Sequence, residues 1–387
     1  NINFIFLWRH CDWGLFKRRN EALLIELARR DVVKSVLHVE PLTIRGLLGL
    51  IVRWWQAKDD NLKQVYKLHC KKAFSFTPVL ANGEKKIFVY SIFVLYTWDN
   101  IALLKKVSNF LIRRHANIIN KKFVQSKKNV VLVAYPPSSY LPEAINSIKH
   151  DILIADLVDD VIARTKDSAE KNKYIDICRT ILPRCKWIFS TSPVLDEYKR
   201  YAGQDIEYLP NGVDCNEYFK SSPDNLLKKD NRKVAGYVGN FSWVIDFDLL
   251  EYVVSCCPQV DFVLIGPTDK ERFKHINNIA SRYNNCHYLG ARKYTEVPDY
   301  IAGFDVLISF KKADYKTRGN DSMKIYQYLA TGKPIVTTPV SPADRFADLI
   351  YVASDKFEFV KYLKQALEDN DPEISRKRIN VALENTW

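Results

Sequence analysis

Asp321-Ser322-Met323-Lys324-Ile325-Tyr326-Gln327-Tyr328-Leu329-Ala330-Thr331-Gly332-Lys333-Pro334-Ile335-Val336 is the stretch on which the reading of this chain turns. It runs from a polar loop into a helix with an apolar face. Gly332 stops the helix, Pro334 prevents its continuation, and a short apolar strand follows. Lys324 falls in the first helical turn. Unpaired N–H groups and a lysine charge at a helix start make a place for a phosphate group. Gln327 lies three residues on and shares that face. An exposed helix start with incidental polarity is the alternative for the segment taken alone.

The same alternation of strand and helix extends in both directions. Upstream, Lys233–Gly239, Asp261–Ile265, Cys286–Leu289 and Val306–Phe310 read as strands, with helices at Phe247–Cys256 and Glu296–Ala302 between them. A final helix reads near Ser375–Asn385. The first part opens as β-α-β, with strands at Asn3–Trp8 and Ser35–Val39 around helix Glu21–Arg30. Further strands read at Ile87–Leu95, Val130–Ala134, Ile152–Leu157, Trp187–Ser190 and Ile206–Leu209. Alternating strands and helices make parallel sheets covered on both faces. The turn Pro210-Asn211-Gly212-Val213-Asp214 and the polar run Lys220–Arg232 separate two such series. The expected organisation is therefore two doubly wound α/β domains, over 1–210 and 233–372, joined by a linker over 211–232. A terminal helix over 373–387 is expected to return towards the first domain. Ligands in such sheets bind beyond the carboxyl ends of the strands, so a cleft between the domains is the expected active site.

The length of 387 residues suits two domains, and 47% apolar against 27% charged residues suits buried cores rather than disorder. Asn1–Trp8 reads as a strand, not a leader, and no apolar run reaches the ~18 residues of a membrane span. The eight cysteines contain no C-x-x-C pair, which argues for buried reduced thiols in a cytosolic protein over zinc or a disulfide framework. The net charge of +13 is unevenly placed: residues 1–150 hold 25 Lys+Arg against 10 Asp+Glu, and the remainder 33 against 35. A basic half attracts polyanions, either nucleic acid or an anionic bilayer. Ile44–Trp55 is apolar, flanked by cations and closed by two indoles, and Leu103–Arg114 repeats the theme. That makeup fits interfacial helices, although an ordinary core helix with basic flanks fits each segment alone. No nucleic-acid motif is present, so no nucleic-acid partner is expected.

Several of these motifs together resemble the nucleotide-sugar glycosyltransferases of the GT-B fold, which have two Rossmann-like domains. The K-I-Y-Q-Y-L-A-T-G-K-P-I-V-T-T run from Lys324 is similar to their E-Y-L-A-x-G-K-P-V-V run. Tyr208-Leu209-Pro210-Asn211-Gly212-Val213-Asp214 is similar to their inter-domain Y-L-P-N-G-V-D. Val263–Pro267 and Gly303–Val306 also fit, so the likeness is close in the C-terminal half and only in outline before it. The two glutamates of retaining glycosyltransferase family 4 are absent: their positions fall at Gly319 and Gln327. Met323-Lys324 with Gln327 instead resembles the M-K-x-x-Q pattern of the xanthan-pathway β-glucuronosyltransferase family (family 70). That family is inverting, uses a UDP-sugar and is peripheral to the membrane.

The resemblance implies a donor site in which Lys324 binds the diphosphate beside Met323 and Gln327. The loop with Arg292 and Tyr294 would hold the nucleobase. Gly239 and Asn240, in a glycine turn after a strand, suit close approach of backbone to phosphate. Lys311, Lys312, Lys316 and Arg318 would draw an anionic sugar such as a uronic acid; a solvated basic loop is the alternative. Inverting transfer needs a general base. Asp159 or Asp160, after the Ile152–Leu157 strand, is the candidate, with helix capping as the equal alternative. Asp12 is the rival, in a loop whose Arg9 and His10 would touch an acceptor pyrophosphate or the donor. No metal or other cofactor is expected, and Asp246-Phe247-Asp248 reads as a helix cap rather than a metal motif. The expected function is transfer of a sugar from a UDP-sugar to a lipid-linked or polysaccharide acceptor at the inner face of the plasma membrane. A nucleotide-sugar epimerase and a silent membrane- or polyanion-binding protein are the alternatives.

Overall fold

Alternate residues of the apolar strands enter opposite cores, as the period of two in a pleated strand requires. In the first unit Ile5, Leu7, Leu37, Val39, Leu132 and Ala134 line one face of the sheet. Phe6, Trp8, Val36, Val131 and Val133 line the other. The computed structural model describes residues 1–14, 18–56, 60–81, 84–95, 101–125, 129–222, 232–312 and 319–387. It divides into two units, Asn1–Leu209 and Pro210–Trp387.

The first unit holds β1 (Ile2–Leu7), β2 (Val33–Leu42), β3 (Thr77–Ala81), β4 (Glu84–Phe93), β5 (Val130–Ala134), β6 (Ile152–Leu157), β7 (Trp187–Ser190) and β8 (Glu207–Tyr208). Their order is β3-β4-β2-β1-β5-β6-β7-β8, so the winding direction reverses between β1 and β5. Neighbours are parallel except β3, which lies antiparallel to β4.

The second unit holds β9 (Lys233–Val238), β10 (Val260–Ile265), β11 (Cys286–Gly290), β12 (Val306–Ser309), β13 (Ile335–Thr337) and β14 (Tyr351–Val352). Their order is β11-β10-β9-β12-β13-β14, all parallel, with the reversal between β9 and β12. Again the strands serve two cores. Ala235, Tyr237, Phe262, Leu264, Val306 and Ile308 face one; Val234, Val263, Ile265, Leu307 and Ile335 face the other. Crevices at the carboxyl ends of β1/β5 and β9/β12 are where such sheets bind ligands.

Both doubly wound sheets agree with the expectation, and most strands lie within two residues of their expected limits. The sequence reading placed β4 but missed its hairpin partner β3, and it missed β14 and the helix Lys356–Glu368. The expected linker needs correction. Pro210 to Ser222 belongs to the second unit and includes the helix Cys215–Phe219, whose Cys215 and Tyr218 enter that unit's core; residues 223–231 lie outside the described set. The terminal helix, Pro372–Glu384, is packed within the second unit. Arg378 donates to the carbonyls of Leu349 and Gly332 and pairs with Asp369 at 2.9 Å. Asp246 caps the helix Phe247–Cys256 through the Leu249 N–H at 3.0 Å, as read from the sequence.

Candidate active site

Gly239 follows β9 at the reversal point of the second sheet, with φ of 156°. A Cβ there would collide with the Nζ and Cε of Lys324. Gly266, after β10, has φ of 147°, and a Cβ on it would strike the Gly239 carbonyl. Two glycines thus let two strand ends and a lysine close together, and φ in this region excludes most side chains in any case. Lys324 reaches the spot from the helix Met323–Leu329. It is 9% exposed, and Nζ sits 3.4 Å from the centroid of the Tyr237 ring. Among the described residues no carboxylate pairs with it. Burial, then repulsion from Lys311, lowers its pKa well below the ordinary lysine value. A desolvated cation with only an aromatic face for company is a site for an anion.

The surrounding hydrogen bonds fix this geometry. Tyr328 Oη accepts the N–H of Val238 at 3.0 Å, tying the helix to the end of β9. Lys311, after β12, donates from Nζ to Ser322 Oγ at 3.0 Å, bringing a second ammonium to the helix start. The inter-domain motif of the sequence reading holds the loop before that helix. Asn211 donates its backbone N–H to the Asp321 carboxylate at 2.6 Å and its side-chain amide to the Asp321 carbonyl at 2.7 Å. Tyr326 Oη also donates to the Asp321 carboxylate, at 3.0 Å. Replacing Asn211 by Ala removes one buried hydrogen bond and strands a carbonyl. We expect a loss of about 1–3 kcal/mol in urea unfolding, and weaker binding of any ligand held by Lys324.

The other expected donor-site residues separate into groups. Gln327 and Tyr294 meet: Gln327 Nε2 donates to Tyr294 Oη at 3.4 Å, and Tyr294 donates to Glu217 at 3.1 Å. Met323 is half-buried one turn before Gln327. Asn240 is exposed beside Gly239, and its carbonyl accepts from Tyr237 Oη at 3.4 Å. Arg292 is exposed and lies against Tyr300, donating to its Oη at 3.0 Å. Arg318 and Lys316 fall outside the described residues. The sequence reading missed Tyr237, Tyr328 and Glu217. The first sits inside the glycine turn that was noticed, but nothing in its spacing marks it as the platform for Lys324.

In the first unit, the loops after β1 and β6 bring charged groups together. Asp159 has φ of 65°, a left-handed backbone uncommon outside glycine. Its carboxylate pairs with Arg9 at 3.0 Å and Arg164 at 3.1 Å. Asp160 caps the helix Val161–Arg164 through the Ala163 N–H at 2.9 Å and accepts from Tyr198 Oη at 3.0 Å. The capping alternative therefore describes Asp160. Asp12 is buried, accepts from Trp8 Nε1 at 2.9 Å and pairs with Arg18 at 2.6 Å. His10 stands between these groups. Its ring meets Trp8 edge-on at 5.9 Å, and although the residue is exposed overall, desolvation and the Arg9 charge lower its pKa to about 4. It is thus a neutral imidazole at pH 7 and a weaker base than an ordinary histidine.

A buried network underlies the Asp12 loop. Glu40, in β2, accepts the N–H groups of Asp12 at 3.1 Å and Trp13 at 2.8 Å, pairs with Lys72 and lies 3.2 Å from His38 Nε2. Cys11, Glu40 and His69 gather their ligand atoms within 4.8 Å. The Glu40 oxygens are already engaged by Lys72, His38 and two N–H groups, so the arrangement is a structural lock. Burial pushes His69 down to about 4 from 6.5, helped by Lys72. Between those values the unfolded chain binds a proton that the folded one does not, so stability falls as pH drops. Burial shifts His115 the same way. We expect the melting temperature to fall as pH is lowered from 6.5 through 4, and His69→Gln to flatten that slope.

Residues 232–369 match the model of the family described as Glycosyl transferases group 1. The second unit carries a group 1 glycosyl transferase domain. The buried Lys324, the Gly239 turn and the Gln327–Tyr294 pair all lie within the matched residues of this glycosyl transferase domain. Over 199 residues the chain is 24% identical to the putative teichuronic acid biosynthesis glycosyltransferase TuaH of Bacillus subtilis. That alignment takes in 49% of this chain and 50% of TuaH, so the chain spans about half the length of the curated relative it matches. Among solved structures it is similar to Anabaena HepE in complex with UDP and glucose, with a TM-score of 0.64 and 15% identity over 100% of this chain and 96% of that one. It is also similar to sucrose-phosphate synthase of Thermosynechococcus elongatus, with a TM-score of 0.70 and 11% identity over 100% and 96% of the two chains. These likenesses establish the fold: two α/β domains of the GT-B type.

Within this glycosyl transferase domain, Gly239→Ala would force the Lys324 side chain aside and strain the turn. We expect loss of nucleoside-diphosphate binding in a thermal-shift assay, with the protein still folded.

Proposed function

We propose that this protein is a glycosyltransferase that moves a sugar from a UDP-sugar to a lipid-linked or polysaccharide acceptor. The observation that carries the reading is Lys324: a buried ammonium without a carboxylate partner among the described residues, pressed against Gly239 at the reversal point of a glycosyl transferase domain. The donor diphosphate takes that charge, with Lys311 close by. The Gln327–Tyr294 pair and Met323 border the sugar and uridine, and Arg292 and Asn240 stand at the rim. UDP bound in HepE supports the choice of nucleotide. The teichuronic acid role given to TuaH supports a polysaccharide product and a uronic acid as the sugar.

The first unit supplies the acceptor side, at the inner face of the plasma membrane. The absence of the paired glutamates of the retaining family supports an inverting displacement. In it, a base takes the acceptor hydroxyl proton while the hydroxyl oxygen attacks the anomeric carbon and UDP leaves. Asp159 is the base, its carboxylate paired with Arg9 and Arg164. A phosphate on the acceptor competes for those guanidiniums and frees the carboxylate. Asp12 is the second choice, because its side chain is more deeply buried than that of Asp159, 11% against 29% exposed. Asp160 serves the helix cap. The lysines supply positive charge at the diphosphate, so the transfer runs without a metal, and activity in a chelator tests that.

The deciding experiment measures UDP release and sugar transfer from a panel of nucleotide sugars. Asp159→Asn should lower kcat by about 10²–10⁴-fold while UDP binding stays intact. If Asp12→Asn shows that effect and Asp159→Asn does not, the base is reassigned. A product that remains a free or nucleotide-bound sugar would point to an epimerase. A folded protein that binds no nucleotide at saturating ligand would leave only the silent polyanion-binding reading.

A further inference from the structure

The two basic, apolar segments noticed in the sequence are helices with uncovered apolar faces. In Ile44–Gln56, Leu48, Val52 and Trp55 recur at i, i+4 and i+7, flanked by Ile51 and Trp54. Leu48 is 59% exposed and Trp55 78%. In Ala102–Ile119, Leu103, Val107 and Phe110 repeat the spacing, with Leu103 69% and Phe110 64% exposed. Both helices are anchored at the carboxyl end of adjacent strands. Leu50 packs with Leu42, the last residue of β2. Ser108 Oγ accepts the Leu95 N–H, just past β4, at 3.0 Å. Between them, Phe74, 74% exposed, touches Phe93 at 6.0 Å between centroids, and Phe93 meets His115 of the second helix at 5.6 Å. Phe93 also packs against the cluster of Leu42, Leu50 and Ala73, so apolar contacts join the two helices.

Charge decides what covers it. The two helices contain six Lys and Arg residues (Arg45, Arg53, Lys105, Lys106, Arg113 and Arg114) and no Asp or Glu. Arg113 pairs with Glu143; among the described residues Arg45, Lys105, Lys106 and Arg114 have no carboxylate partner. A second copy of the chain would place two such basic faces together, and like charges repel. An anionic lipid surface complements the rim while its acyl boundary takes the leucines and indoles. No described helix is long and apolar enough to cross a membrane, so contact through this surface is interfacial.

We propose that the helices Ile44–Gln56 and Ala102–Ile119, with Phe74 between them, form one docking surface for the headgroup layer of an anionic bilayer. The surface lies at the same end of the sheet as Arg9, His10 and Asp12, which follow β1, the neighbour of β2. An acceptor carried on a lipid is thereby delivered to the strand ends that hold the candidate base. This purpose rests on the membrane-borne acceptor proposed above; the binding itself requires no acceptor.

The test is co-sedimentation of the full chain with phosphatidylcholine vesicles, with and without phosphatidylglycerol. Binding is expected only to the anionic vesicles and should weaken with salt. Lys105→Gln with Lys106→Gln should weaken it by about tenfold or more. Leu48→Ser with Trp55→Ser should weaken it at any salt concentration. These positions are exposed, and circular dichroism checks that the variants fold. No binding of the wild type to anionic vesicles, or variants that bind as the wild type does, would overturn the proposal. So would a wild-type dimer that Leu48→Ser with Trp55→Ser converts to monomer, because the face would then belong to a second copy. A UDP thermal shift on the same samples reports the second unit, so failure here is distinguishable from failure of the donor-site reading.

Discussion

Lys324→Ala should abolish the thermal shift produced by UDP and lower kcat/KM for the donor by about 10²–10³-fold, the usual effect of deleting one preorganised charge donor. The side chain is desolvated before ligand arrives, so its charge beside a bound diphosphate is screened little by water. The same burial predicts the sign of a pH effect. The free-state pKa is lowered by desolvation, and an anion beside Nζ raises it again. Binding therefore takes up protons, and affinity should weaken as pH rises. Calorimetry in two buffers of different ionisation enthalpy measures that uptake. Lys324→Arg should not rescue, because the pocket between Gly239 and the Tyr237 ring fits a point charge rather than a planar fork. Removing this buried cation costs the folded protein little or raises its stability, which separates loss of binding from loss of fold. Unchanged UDP binding in Lys324→Ala would refute the donor-site assignment.

Glu40→Gln should cost about 3–5 kcal/mol in urea unfolding of the first unit, the range for breaking a buried ion pair from one side. Glu40, Lys72 and His38 are all fully buried, and the substitution leaves the Lys72 ammonium without its counter-charge. Glu40→Gln with Lys72→Met should recover most of that loss, since the pair is then removed together. Folded Glu40 is held well below the ordinary carboxylate value because Lys72 and His38 outweigh the burial that opposes ionisation. Its contribution is therefore present at neutral pH and lost as pH falls towards acid. The effect reaches function through the backbone, because Glu40 holds the N–H groups of Asp12 and Trp13. Transfer should fall in Glu40→Gln even at temperatures where the first unit remains folded. An intact stability curve would show that the network is not the lock described.

Much of the fold was legible because strand and helix periods differ. β5 and β6 coincide with the expected Val130–Ala134 and Ile152–Leu157, since a short, mostly apolar run has one stable place, a strand covered on both faces, and the one charge in β6, Asp156, is paired with Arg19. The β3–β4 hairpin was not legible: Thr77–Ala81 is short and contains Pro78, which argues against a strand except at an edge, and an edge is where it lies. Asp159 and Asp160 look interchangeable as letters. Only their backbones separate them, one turned to left-handed φ between two arginines and the other folded over a helix start.

The sequence by itself determined the two doubly wound sheets, the basic first half and the lysine at the start of the helix Met323–Leu329, because hydrophobic period, charge count and local capping are written in neighbouring residues. The tertiary structure decided what those residues meet. It set Lys324 against Gly239 and Tyr237, engaged Glu40 with Lys72 and the Asp12 loop, and left Leu48, Trp55, Leu103 and Phe110 uncovered. Those outcomes depend on contacts between residues tens of positions apart, and burial, which sets both the electrostatics and the exposed faces, exists only once those contacts have formed.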